Sequence, residues 1–206
     1  MSALPHSGDA TTPPAVTRIE HTRLARPNGW WGMAIFVATE ATLFGTLIGT
    51  YYYLRFNNAH WPPPDVPEPK LTLPLVLTGI LVATSLPMQL AVSAAGRGRL
   101  VTARVALLVA VVVQAGYLGM QLHLFVHDVH EFPPSRSSYS SIYFTMLGGH
   151  HLHVGIGVLL NVWLLLRTAT GLTSYRMNAL RATAFYWHFV NVLALCVVGT
   201  QLSPLA

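Results

Sequence analysis

Residues Tyr139 to Leu166 read YSSIYFTMLGGHHLHVGIGVLLNVWLLL, 28 residues without one Asp, Glu, Lys or Arg. A helix needs about 20 predominantly apolar residues to cross the hydrocarbon layer of a bilayer. This stretch is long enough, and Arg167 closes it at the end. Four more runs share its character: Trp30 to Tyr53, Leu71 to Ala95, Leu100 to Phe125, and Arg181 to about Pro204. The expected fold is therefore all-α, an integral membrane bundle of five transmembrane helices. Pro74 falls in the first turn of the second span, where proline is cheap. Pro87 lies deeper, and a proline there kinks a helix.

The composition agrees. Charged residues are 9% of the 206-residue chain, against roughly 25% in an ordinary soluble domain. Apolar residues make up 52% and the mean hydropathy is +0.48. The net charge of +5 does not signal nucleic acid, because the cations sit between the apolar runs, where topology signals belong. Cys196 lies within an apolar run and, as the one cysteine, forms no internal disulfide. The stretch before Trp30 is polar, carries Pro13, Pro14 and Pro27, and lacks the apolar core of a cleaved signal. Residues 1–29 read as a cytoplasmic, partly disordered tail and 30–206 as the five-helix domain.

The loops orient the bundle. Arg18, Arg23, Arg26, Arg97, Arg99, Arg104, Arg167, Arg176 and Arg181 fall on one side, and only Arg55, Lys70 and Arg136 on the other. The positive-inside rule then puts the N-terminus in the cytoplasm and the C-terminus outside. The segment Trp61 to Asp65 and the loop His127 to Ser138 are expected outside. Eleven Arg against one Lys, with abundant Ala, Val and Leu, suggests a GC-rich bacterial genome, and no other reading rests on it.

Within these spans the one acid is Glu40, roughly 15 Å from the cytoplasmic end of its helix at 1.5 Å per residue. An ionisable group there must be paired, protonated or turned inward. His150 and His153 share a face of the fourth span, with His151 turned about 100° away. By depth, Glu40 and His150 lie within about one turn of each other, and His188 is level with His153. Three readings fit: a buried hydrogen-bond network, a metal or haem site, and a proton relay. Histidine is the commonest metal ligand, and His153 with His188 could face a haem. The set nevertheless lacks the carboxylate and thiolate partners of most metal sites, and no Cys-x-x-Cys-His motif is present. Gly148, Gly149, Gly155 and Gly157 suit close helix packing, and Gln89, Gln114, Gln121 and Asn161 suit interhelical hydrogen bonds. Trp30, Trp31, Tyr51, Trp61 and Tyr139 fall at the interfaces, as aromatic belts do.

Three stretches together resemble one family. Trp31-Gly-Met-Ala-Ile-Phe-Val-Ala-Thr-Glu40-Ala-Thr-Leu-Phe44 is similar to its Trp-Gly…Phe-x-x-Ser-Glu-x-x-x-Phe pattern. Gly148-Gly-His150-His-Leu-His153-Val-Gly-Ile-Gly157 is similar to its Thr-Gly-x-His-Gly-x-His-Val…Gly signature. Tyr186-Trp-His188-Phe-Val-Asn191 is similar to its Tyr-Trp-His-Phe-Val-Asp. The family is subunit III of the haem–copper oxidases, in its five-helix form. The resemblance implies a non-catalytic supporting subunit of a respiratory terminal oxidase, aiding stability and proton uptake, with no catalytic, cofactor-binding or metal-binding residue of its own. It implies a buried polar network of Glu40, His150, His153 and His188, and lipid contacts at Arg167 and Trp31. Structural phospholipid is expected here, with haem and copper in partner subunits. The expected partners are catalytic subunit I directly, then subunit II, and cytochrome c or a bc-type complex in the assembly.

Three positions depart from the pattern: Asn191 for Asp, Arg181 where many members have Glu, and His151 for the Gly of His-Gly-x-His. They leave room for an accessory protein of a nitric oxide reductase or a quinol oxidase. A proton-coupled transporter is the rival of another class, although no inverted repeat supports it. A b-type cytochrome is another.

Overall fold

A computed structural model describes residues 28–64, 66, 72–168, 171 and 173–202. It is all helical: α1 Asn28–Phe56, α2 Thr72–Ala83, α3 Ser85–Gly96, α4 Leu100–Glu131, α5 Ser138–Thr168 and α6 Ser174–Leu202. Five spans are long and apolar enough to cross a membrane, with α2 and α3 forming the two halves of the second. Most of the expected tail lies outside the described residues; Asn28 and Gly29 already belong to α1.

The second span breaks where its proline dictates. Pro87 has no N–H for the carbonyl of Ala83, and its ring crowds that carbonyl. The chain answers at Thr84, whose N–H turns to Leu81 O at 3.0 Å in a tighter turn. The span ends in a Schellman motif. Gly98, at φ +72°, lets the Arg99 N–H reach Ala94 O at 2.9 Å and its own N–H reach Ala95 O at 3.1 Å.

Two boundaries differ from the sequence expectation. Residues His127 to Glu131, read as loop, complete the last turns of α4. Charge alone does not end a helix; the first breaker is the Pro133-Pro134 pair, which drives Phe132 out of helical geometry (φ −139°, ψ 88°). Likewise α6 starts at Ser174 rather than Arg181, because Thr173 caps it, its hydroxyl accepting the Arg176 N–H at 3.4 Å.

Helix α6 is the hub: it packs against α1, α2, α3 and α5. Helix α1 touches only α5 and α6 among the described elements, and only Phe44 and Tyr51 of its residues are fully buried. The main core joins Leu81, Met88, Leu107, Tyr117, Val154, Leu164, Tyr186 and Trp187. A second, aromatic cluster closes the end of the bundle where α4 finishes and α5 begins. There Trp61 packs edge-on to Tyr51 at 5.5 Å and Tyr139 at 5.1 Å.

Candidate functional site

Helix α1 carries Glu40 to α5. Its Oε2 lies 3.0 Å from Nε2 of His153, with side chains 21% and 8% exposed. The other ring nitrogen of His153, Nδ1, is 2.7 Å from Gly149 O. A carbonyl only accepts, so Nδ1 carries a hydrogen and donates it. One proton then serves the link between Nε2 and the carboxyl group. On Nε2 it makes an imidazolium–carboxylate pair; on Oε2 it makes a neutral acid donating to a neutral imidazole. The net charge of the pair is zero either way. That is what an acid needs at this depth.

His153 is held from two further sides. Phe44, one turn after Glu40, meets it edge-on at 5.4 Å, and the Tyr186 hydroxyl donates to His153 O at 3.0 Å. Two glycines make the approach possible. A Cβ on Gly149 would meet the Phe44 ring at 3.4 Å, and one on Gly157 would lie 2.6 Å from the Trp187 ring. Helices α5 and α6 therefore touch backbone to indole at Gly157.

A second constellation sits at the α2–α3 break. Trp187 donates its indole N–H to Thr84 Oγ1 at 2.8 Å, and Thr84 hands its own hydrogen to Leu81 O. Asn191 Nδ2 donates to Ser85 Oγ at 2.6 Å, leaving the Ser85 hydrogen available to His188 Nδ1 at 3.2 Å. The expectation that His188 joins Glu40 is thus corrected: its bonding partner is Ser85. Tyr186 faces His153, and His188, two residues and about 200° further round α6, faces α3. Where the family pattern has Asp, the neutral Asn191 supplies the donor to this serine.

His150 also departs from the expectation. It is buried at 2% exposed, but both its ring nitrogens lack a hydrogen-bond partner, as do both of His151. His151 packs edge-on to Phe125 at 5.5 Å. None of these histidines belongs to a metal-competent group; among the described residues that spacing occurs only in His127, Asp128 and Glu131 at the end of α4. The sequence reading missed this trio by assigning it to a loop, although its i, i+1, i+4 spacing was visible. It missed Thr84 and Ser85 too, whose signal was their position three and two residues before Pro87.

Arg167 is exposed, its guanidinium 5.6 Å from the Trp163 ring centroid, and Trp31 is 56% exposed. Arg104 caps α5 from α4, with Nε donating to Thr168 O at 3.1 Å and Nη2 to the same oxygen. Of the four amides expected between helices, Asn161 Nδ2 donates to Gln114 Oε1 at 2.9 Å. Gln121 instead bonds Tyr117 on its own helix, and Gln89 is exposed.

Residues 14–199 match the family model described as cytochrome c oxidase subunit III. The chain is 32% identical to the cytochrome bo(3) ubiquinol oxidase subunit 3 of Pseudomonas aeruginosa, over 86% of each chain. It is 32% identical to the probable cytochrome c oxidase subunit 3 of Nocardia farcinica, over 90% of this chain and 93% of that one. It is 31% identical to the quinol oxidase subunit 3 of Bacillus subtilis, over 80% of each. With the helix α1 glutamate against the helix α5 histidine, and a family match across all five spans, the chain belongs to the cytochrome c oxidase subunit III family of the haem–copper oxidases.

Proposed function

We propose that this protein supports its oxidase without a reaction centre of its own. The observation that carries this reading is the Glu40–His153 pair. Its polar atoms are turned on each other and on Gly149, a geometry that joins α1 to α5 rather than one that presents a base or ligand to a substrate. The pair docks a helix that otherwise has few buried contacts, and so keeps the outer wall of the subunit in place.

In the assembly, catalytic subunit I is the direct neighbour, with subunit II and, through it, cytochrome c or a bc-type complex further out. Haem and copper reside in those subunits. The chain contributes bound phospholipid, with exposed Arg167 reaching a lipid phosphate and Trp31 lying at the same headgroup level. Its contribution to turnover is to sustain proton uptake by the catalytic subunit. The setting is a bacterial plasma membrane with the N-terminus inside, as the distribution of arginines favours. Relatives of near-equal identity are named for both quinol and cytochrome c oxidases, so the donor is chosen by other subunits.

The test is to purify the chain through a C-terminal tag in mild detergent and record the redox difference spectrum and subunit inventory of what accompanies it. Oxidase haem and the catalytic subunit in the eluate, lost together when this chain is removed by harsher detergent, support the proposal. Haem retained on the isolated chain would refute it. A nitric oxide reductase as the sole companion would move the chain to that complex.

A further inference from the structure

A cavity of about 280 Å³ opens beside the last turns of α4 and runs inward between α2, α4, α5 and α6. Its mouth carries His127, Asp128 and Glu131, and its inner wall includes Leu147, Ala194 and His150. From Tyr143 at the mouth to His150 is seven residues on α5, about 10 Å of depth. The mouth is charged. His127 Nδ1 lies 3.6 Å from Asp128 Oδ1 and 3.9 Å from Glu131 Oε2, and the His127 and Glu131 side chains are 67% and 53% exposed. Tyr143 donates its hydroxyl to Asp128 Oδ2 at 3.4 Å. At the other end His150, 2% exposed, has two ring nitrogens without a partner.

These two ends decide what fills the space. A cavity lined by hydrocarbon alone stays dry, but a buried polar group with no partner is costly and is nearly always met by ordered water. The wall is mostly apolar, yet it carries Gln201 near the outer end of α6, Thr78 in the second turn of α2, and Gln121 seven residues inward of Asp128 on α4. A single water needs only about 10–15 Å³ of such volume and two to four polar partners. The volume is ample for several waters, and Thr78, Gln121 and Gln201 offer them polar atoms along the wall. Helix α4 also points its C-terminus at the mouth, and its carbonyl ends add negative potential to the two carboxylates.

We infer that this cavity is a water-filled inlet that favours cations, leading from the outer end of the bundle to His150. Nothing in the supporting role above requires it. It brings water from one side of the membrane up to the wall that the buried His150 ring forms at the inner end, and it takes small hydrated cations in preference to anions.

The test uses the assembled oxidase in native membranes. With Cys196→Ser as background, single cysteines are introduced as Leu147→Cys and Ala194→Cys in the inner wall, and as His127→Cys at the rim. Each is exposed, from one membrane face at a time, to small membrane-impermeant methanethiosulfonates bearing an ammonium or a sulfonate. The two inner cysteines should react from one face only. The ammonium reagent should be about tenfold faster, at the low end of electrostatic focusing in a charged cleft. Asp128→Asn with Glu131→Gln should bring the two reagents to within about twofold of each other. A reactive rim with two unreactive inner cysteines would overturn the inlet, showing a dry or lipid-filled space. An unreactive rim would overturn it as well, because the mouth would then be covered in the assembly. Equal rates for both reagents before any charge is removed would overturn the cation preference.

Discussion

The Glu40–His153 pair carries one proton in its link and no net charge, so its substitutions separate by hydrogen bonding rather than by charge. Glu40→Gln retains a side-chain N–H that can donate to Nε2. Glu40→Ala leaves that nitrogen unsatisfied beside Phe44, a loss of about 1–3 kcal/mol. We expect the alanine variant to shed this subunit at a lower temperature in detergent, with the glutamine variant between it and wild type, and both to keep the initial oxidase rate. Thermal release followed by native electrophoresis reads the order. A glutamine variant as labile as alanine would mean that the ion-pair form is the one that matters. Gly157 admits an independent test at the same scale. A methyl group there meets the Trp187 ring at 2.6 Å, so Gly157→Ala should cost about 1–3 kcal/mol by overpacking and reduce assembled subunit in membranes. Full assembly with an unchanged release temperature would show that α5 and α6 can part without penalty. Depth counting along the spans brings Glu40 to within about one turn of His150, and His188 level with His153, but does not say which way each side chain points. Azimuth decided the outcome: His153 turns to Glu40, His150 to a cavity, and His188 to Ser85.

At the scale of elements, the break in the second span is a built joint. Thr84 and Ser85 receive Trp187, His188 and Asn191 only because the helix opens there. In a regular helix, Pro87→Ala would be worth about 3 kcal/mol of added helical stability. Here we expect the opposite sign. Restoring the bond to Ala83 straightens the span and turns both hydroxyls from α6, leaving a buried indole N–H without its acceptor. Subunit release should occur at lower temperature in Pro87→Ala than in wild type; a rise would mean that α6 adapts to a straight partner. The existence of the five spans was legible because hydrocarbon thickness sets a length that composition alone reveals. Their ends were not, since Asp128 and Glu131 are compatible with a helix that extends past the hydrocarbon. The caps were written in the sequence at Ser137 and Thr173, but a hydroxyl next to a charged turn is a weak signal beside a run of leucines.

For the whole molecule, burial is uneven: the apolar window of α6 is 61% buried inside the bundle and that of α1 is 6%. Helix α1 is held by Glu40 on His153, by Phe44, and by Tyr51 with Trp61. Its remaining apolar surface, including Ile35, Leu43 and Phe56, is exposed on the outside of the bundle. Such an element belongs to the low-stability end of a fold when its neighbours are removed. Hydrogen exchange by mass spectrometry can compare the subunit inside the oxidase with the same subunit released into detergent. We expect amides of α1 to lose protection on release while those of α6, packed on four elements of its own chain, keep theirs. Glu40→Ala should widen the gap by removing the Glu40–His153 tie between α1 and α5. An equal fall across α1 and α6 would mean that the bundle unfolds as one unit, and that the carboxyl–imidazole pair is one contact among many rather than the fastening of its outer wall.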